Sequence, residues 1–120
     1  MHELSVAQSI VEIIEQHVPP SDWERVRAVR LKIGTAAGIV PESLEFSFQA
    51  ITAELLFNHA RLEIESVPFR VLCNTCHTTA ENEFGFALCS ACGSTDTKIL
   101  SGSELHITEI EITEPEWELL

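Results

Sequence analysis

Val29-Arg30-Leu31-Lys32-Ile33 alternates apolar and basic side chains without a fault. In an extended backbone successive side chains point to opposite faces, so this stretch reads as a strand with one buried and one cationic face. Two further stretches answer it. Arg61-Leu62-Glu63-Ile64-Glu65 turns Leu62 and Ile64 inward, and Leu105-His106-Ile107-Thr108-Glu109-Ile110-Glu111-Ile112 is a longer strand. Its alternation changes phase between Ile107 and Ile110, which predicts a bulge at Thr108 or Glu109. Outward-facing Arg30 and Lys32 are matched by Glu63, Glu65, Glu109 and Glu111 on the other two strands. Opposite charges across neighbouring strands contribute about 0.2–1 kcal/mol per pair, so the three strands are expected to share one sheet.

Two helices flank the first strand. Over residues 4–17, Leu4, Ala7, Val11 and Ile14 form an apolar stripe that Val6, Ile10 and Ile13 widen, and Pro19-Pro20 ends the helix. After a loop bounded by Gly34 and Gly38, Pro41 suits the first turn of a second helix, with Glu42 near its positive end and Leu44, Phe48, Ile51 and Leu55 as its core stripe. The fold class is therefore α+β: a small three-stranded sheet covered by two helices on its apolar face. Residues 69–102 break this periodicity, carry all four cysteines and lie between the second and third strands. They are expected to form an inserted module, leaving residues 1–68 and 103–120 as one discontinuous α/β domain.

The 120 residues are 45% hydrophobic and 22% charged, which excludes a disordered chain. Seven Lys+Arg against nineteen Asp+Glu give a formal charge of −12, a field that repels nucleic acids and acidic membrane surfaces. No apolar run approaches the roughly 20 residues needed to cross a bilayer. The opening Met1-His2-Glu3-Leu4-Ser5-Val6-Ala7 has no basic n-region, and Gln8, Ser9, Glu12 and Glu15 interrupt the apolar stretch behind it, so a signal peptide is not expected. The chain is expected to be cytoplasmic, and there four cysteines read as metal ligands or redox groups before disulfides.

Cys73-Asn74-Thr75-Cys76 is followed after twelve residues by Cys89-Ser90-Ala91-Cys92. Two such pairs can set four thiolates tetrahedrally around Zn²⁺ at about 2.3 Å, and Gly93 supplies the freedom a tight knuckle turn needs. Phe69 to Leu72 and Phe84 to Leu88 are the pieces expected to build the hairpins of a zinc ribbon. Four protein ligands leave no open position, so the zinc is structural. A redox pair would call for a single motif at a helix start, and haem attachment at Cys73–His77 would leave Cys89 and Cys92 idle. Four unrelated buried thiols would not be spaced in pairs. His77 beside the knuckle is either a solvated loop residue or a proton-sensitive neighbour able to replace a thiolate.

The second constellation is Met1-His2-Glu3. The amine of Met1, the backbone nitrogen of His2 and its imidazole can close adjacent chelate rings, with the Glu3 amide or carboxylate as fourth donor. A planar nitrogen or nitrogen/oxygen set suits Ni²⁺ or Cu²⁺ rather than Zn²⁺. On chemistry alone a histidine at position 2 is more often an incidental surface residue. His17, His59 and His106 have no ligand partner in sequence.

Met1-His2-Glu3-Leu4-Ser5-Val6-Ala7, Leu31-Lys32-Ile33-Gly34, Gly38-Ile39-Val40-Pro41-Glu42-Ser43-Leu44-Glu45-Phe46, Leu62-Glu63-Ile64-Glu65, the two cysteine pairs and Gly102-Ser103-Glu104-Leu105 together resemble, in the same order along the chain, the HypA/HybF family of hydrogenase-maturation nickel chaperones. The resemblance implies a nickel-binding α/β domain with an inserted zinc ribbon. It implies that His2 anchors Ni²⁺ with the Met1 amine and nitrogens near Glu3. It also implies delivery, with the GTPase HypB, to the large-subunit precursor of [NiFe]-hydrogenase; some relatives also serve urease, and a homodimer is compatible with this role. The chain departs from some relatives in two places. Only Glu42 stands near the acidic loop residue that helps bind nickel there, and Gly93 replaces a histidine after the second cysteine pair. The first helix and its neighbouring loop are expected to dock on the GTPase. The alternative is a zinc-ribbon regulatory or adaptor protein without a nickel-carrier role; a nucleic-acid-binding form of it would require a basic stripe, but residues 69–102 contain only Arg70 and Lys98 as basic residues. An enzyme would require a reactive thiol or an open metal position, and no catalytic residue is assigned.

Overall fold

The computed structural model describes residues 2–82 and 85–114. Along the chain run α1 (Glu3–His17), a short 3-10 helix (Pro20–Arg25), β1 (Val26–Gly34), α2 (Pro41–Thr52), β2 (Arg61–Val67), β3 (Phe69–Cys73), β4 (Thr79–Asn82), β5 (Thr97–Ser101) and β6 (Leu105–Ile112). They make two three-stranded sheets, β2-β1-β6 and β4-β3-β5. The described residues divide into two compact units: 2–31, 39–64 and 107–114 in one, 32–38, 65–82 and 85–106 in the other.

In the first unit α1 and α2 pack on each other. The buried face of α1 is Val6, Ala7, Ile10 and Ile14. Leu4, expected in the core, is 49% exposed, and Val11 and Ile13 are only partly covered. Two stripes of equal helical spacing run through Ala7 and Ile14, and periodicity alone does not choose between them; the packed neighbour does. α2 begins with Pro41 at its first position, and buries Leu44, Phe48 and Thr52. Leu55 lies past the end of the helix and, like Ile51, is partly covered. Thr52 takes the core position instead because its hydroxyl donates to the Phe48 carbonyl at 2.7 Å, so no polar atom is buried without a partner. Phe57, fully buried beyond α2, meets the ring of Trp23 edge-on at 5.9 Å. The Trp23 indole donates to the Val18 carbonyl at 2.8 Å, which ties the short helix to the end of α1.

β1 is the central strand of its sheet, with Val29, Leu31 and Ile33 buried. The strand starts earlier than its alternation indicated, at Val26, and Ala28 is buried as well. The expected charge pairs form. The Arg30 guanidinium meets Glu63 at 2.8 Å, Glu109 at 2.6 Å and Glu111 at 3.0 Å. Lys32 lies 3.7 Å from Glu65. In β6, Ile107 and Ile110 are partly covered while Thr108 and Glu109 between them are exposed, the phase change expected from the sequence.

In the second unit β3 is central. It pairs antiparallel with β4, Phe69 opposite Asn82 and Leu72 opposite Thr79. Against β5, Arg70 faces Ser101 and the next residue, Val71, faces Ile99. Leu100 is therefore the extra residue of a bulge. Phe69 to Leu72 is a strand as expected, but Gly85 to Leu88 is not, and Phe84 lies outside the described residues. The partner strands are instead the polar Thr79–Asn82 and the mixed Thr97–Ser101, brought alongside β3 by the knuckles that precede them. Gly34 and Gly102 meet face to face: a Cβ on Gly34 would lie 1.9 Å from the Gly102 carbonyl oxygen, and one on Gly102 only 2.2 Å from the Phe69 Cα. Gly102 also has φ +106°, so only glycine fits there.

Candidate metal centre

Each cysteine pair is folded by the same two backbone hydrogen bonds. The Cys73 N–H donates to the Thr78 carbonyl at 3.0 Å, and the His77 N–H returns to the Cys73 carbonyl at 2.9 Å. In the second pair the Cys89 N–H donates to the Ser94 carbonyl at 2.9 Å and the Gly93 N–H returns to Cys89 at 2.9 Å. The two knuckles are copies. Both have a left-handed residue directly after the second cysteine, His77 at φ 61° and Gly93 at φ 76°. His77 is the one non-glycine residue with positive φ among the described residues. A pattern wider than the cysteine spacing, Cys-x-x-Cys-x-Thr/Ser, runs through both copies and ends at Thr78 and Ser94; it is the sequence signal of the shared hydrogen bonding.

The copies are held together across their tips. Asn74 donates through its backbone N–H to the Asp96 carbonyl at 2.9 Å and through Nδ2 to Asp96 Oδ1 at 3.1 Å. The hydroxyls of Thr75 and Ser94 are 3.1 Å apart. This places the four sulfurs within 4.8 Å of one another, the one group of three or more metal-capable side chains among the described residues. Cys73 and Cys92 sulfurs lie 3.6 Å apart, as do those of Cys76 and Cys89. A tetrahedron with Zn–S bonds of about 2.3 Å has edges of about 3.8 Å, so the cage has the size of a tetrathiolate zinc site. Cys73 and Cys89 are buried, whereas Cys76 and Cys92 face outward.

Hydrogen bonds to the sulfurs favour the thiolate at Cys73 and Cys76. The backbone N–H of Cys76 points at the Cys73 sulfur at 3.4 Å and holds that thiol below its ordinary range. Hydrogen bonding to Thr78 takes Cys76 down to about 6. At Cys92 the Ser94 backbone N–H also favours the thiolate, but the sulfurs of Cys73, Cys89 and Cys76, together with burial, outweigh it and push the thiol up to about 12. Like charges this close do not all ionise without a cation among them. A zinc ion held by Cys73, Cys76, Cys89 and Cys92 would have four protein ligands and serve structure.

The remaining expected site residues lie apart from this cage. His2 is the N-terminal cap residue of α1; it is exposed and its side chain makes no capping hydrogen bond. Its carbonyl accepts the Val6 N–H at 3.1 Å. Glu3 opens the helix, and Met1 lies outside the described residues. Among the described residues, His2 and Glu3 are not joined by a third metal-capable side chain. Glu42 is exposed in the first turn of α2, and His17, His59, His77 and His106 are exposed and belong to no such cluster.

Comparison with known proteins agrees with this architecture. A family model described as "Hydrogenase/urease nickel incorporation, metallochaperone, hypA" matches residues 1–112. Hydrogenase maturation factor HypA of Geobacter sulfurreducens is 41% identical over 112 residues, covering 93% of this chain and 99% of that protein. The Azotobacter vinelandii protein of the same name is 39% identical over the same shares. The solution structure of the nickel metallochaperone HypA from Helicobacter pylori superposes with a TM-score of 0.62 at 23% identity, covering 93% of this chain and 97% of that one, a likeness of fold. With a family model spanning nearly its whole length and relatives near 40% identity, the chain belongs to the HypA family of nickel metallochaperones for hydrogenase maturation.

Proposed function

We propose that the chain carries Ni²⁺ at the head of α1, on the Met1 amine, the His2 backbone nitrogen and imidazole, and a donor from Glu3. The observation that carries this reading is His2: exposed, at a helix start, with a side chain not engaged in capping. The first amides of a helix have no carbonyl partner within it, so nitrogens near Glu3 are free of intrahelical bonds. No side-chain cage of His, Cys and carboxylates gathers at this point among the described residues, which favours a chelate built largely from backbone nitrogens and one imidazole. Such a set suits Ni²⁺. Ligands at an exposed helix start can be replaced one at a time by an acceptor, and protons compete for the amine and imidazole, so the cargo is held and then surrendered.

The destination is the large-subunit precursor of [NiFe]-hydrogenase, reached with the GTPase HypB in the cytoplasm. The zinc ribbon, residues 69–102, orients partners while its ion stays in place, and the protein performs no catalysis. Nickel titration of zinc-loaded, untagged protein against His2→Ala tests the site. Loss of an outer partner of a metal ligand already costs about 10–100-fold in affinity, so loss of the imidazole itself is expected to cost about 100-fold or more. An N-terminal extension that removes the free amine should be as damaging, with zinc content unchanged in both. Full nickel affinity in both variants overturns the assignment.

A further inference from the structure

A groove of about 450 Å³ lies along α1 and reaches the C-terminal part of α2, lined by Gln8, Val11, Glu12, Glu15 and Ile51. Val11 and Ile51 are aliphatic and only partly covered, so they present an apolar strip within the lining. Glu12 and Glu15 are exposed on the rim, and neither forms an ion pair among the described residues. Five of the seven basic side chains, Arg25, Arg30, Lys32, Arg61 and Arg70, hold carboxylates away from this groove. The last turn of α2 contains no basic residue, so the negative end of its dipole adds to the rim charge. An apolar strip between uncompensated carboxylates is complementary to an amphipathic helix with an aliphatic stripe flanked by lysine or arginine.

We propose that this groove docks a cationic amphipathic helix of a protein partner. Gln8 lies six residues along α1 from His2, about 9 Å at the helical rise, so a helix seated here would stand beside the head of α1. The proposal rests on the groove and not on nickel binding.

The test is fluorescence anisotropy with zinc-loaded full-length chain and labelled helical peptides. A Leu/Lys peptide patterned i, i+3, i+4 is expected to bind, and the double variant Glu12→Gln/Glu15→Gln to bind about tenfold more weakly, in the range of two exposed ion pairs. Glu24→Gln/Glu42→Gln, with the same charge change on the same unit, is expected to leave affinity nearly unchanged. A Ser/Lys peptide of equal charge and a Leu/Glu peptide should both fail to bind. Equal weakening by the two double variants, or equal binding of the Ser/Lys peptide, would mean attraction to net charge alone and overturn the proposal. So would a Leu/Lys peptide that does not bind, including the case in which sedimentation shows a second copy of the chain occupying the groove. Nickel titration of the Glu12/Glu15 variant separates the two readings, because its nickel affinity should remain that of the parent chain.

Discussion

The four cysteines reach their places through the backbone: duplicate hydrogen bonds fold each knuckle, N–H groups point at the sulfurs, and the Asn74–Asp96 contacts lock one knuckle to the other. At the head of α1, by contrast, His2 has an exposed side chain that makes no capping bond. On the reading proposed above, the difference separates a site suited to keeping an ion from one suited to losing it. A cage with every ligand oriented by the fold gains affinity from preorganisation and offers an acceptor no way in. If Ni²⁺ binds at His2 as proposed, a single imidazole would hold it only by recruiting neighbouring nitrogens, and would release it as readily.

Metal removal should break the comparison most visibly. Structural zinc in small domains binds with apparent free energies of about 10–16 kcal/mol that are also folding free energy. Cys89→Ser, or a strong chelator, is expected to abolish the β4-β3-β5 sheet while the helices of the first unit persist, as read by backbone amide spectra. A sheet that survives intact without metal would show that the knuckles do not depend on the ion. The loss of nickel affinity in His2→Ala comes next, and it should leave both sheets unchanged.

A subtler test lies inside the cage. Gly93 and His77 occupy the same left-handed position of the two knuckles. A side chain there costs about 1–2 kcal/mol. A Cβ on Gly93 would touch nothing within 4 Å, so Gly93→Ala should destabilise the zinc-loaded protein by about that conformational cost alone. His77→Gly should act in the opposite sense, by a smaller amount, because the glycine also gains freedom in the unfolded chain. Denaturant midpoints of the pair check this. Equal destabilisation by both would mean that the His77 side chain contributes something its counterpart does not.

The smallest effect belongs to the outer face of the first sheet. Hydrogen bonding from Arg61, with the charge of Arg30 beside it, holds the Glu63 carboxyl below its usual range against a weaker burial effect. Its contribution to stability is thus present above the ordinary glutamate pKa and is lost as pH falls through the depressed folded value. Glu63→Gln should flatten the acid limb of the stability curve slightly. An unchanged limb would show that the exposed ion pairs add nothing measurable.

Much of this architecture was legible because it is written in short-range pattern. The alternation around Arg30 and the opposing glutamates identified a sheet whose central strand is β1, since charge complementarity carries information across long sequence separations. The cysteine spacing identified the two knuckles, because a knuckle is a local turn. Other features had no such signal. Leu4 and Val6 satisfy the same helical period, and only the packed neighbour of α1 selects Val6. Thr79-Ala80-Glu81-Asn82 has no apolar alternation and becomes a strand through its register with β3. Thr52 and Phe57 enter the core because of a hydroxyl–carbonyl bond and the ring of Trp23, contacts that composition does not announce.

By itself, then, the sequence determined which cysteines are paired and which segments repeat or alternate, because knuckle spacing and backbone periodicity act over a few residues. Only the tertiary structure decided that the two cysteine pairs close into one cage of zinc dimensions, that His77 must adopt a glycine's conformation, and that Gly34 and Gly102 must lack side chains. Those outcomes depend on which distant segments share a volume. Packing settles that through the exclusion of overlapping atoms and the pairing of buried polar groups.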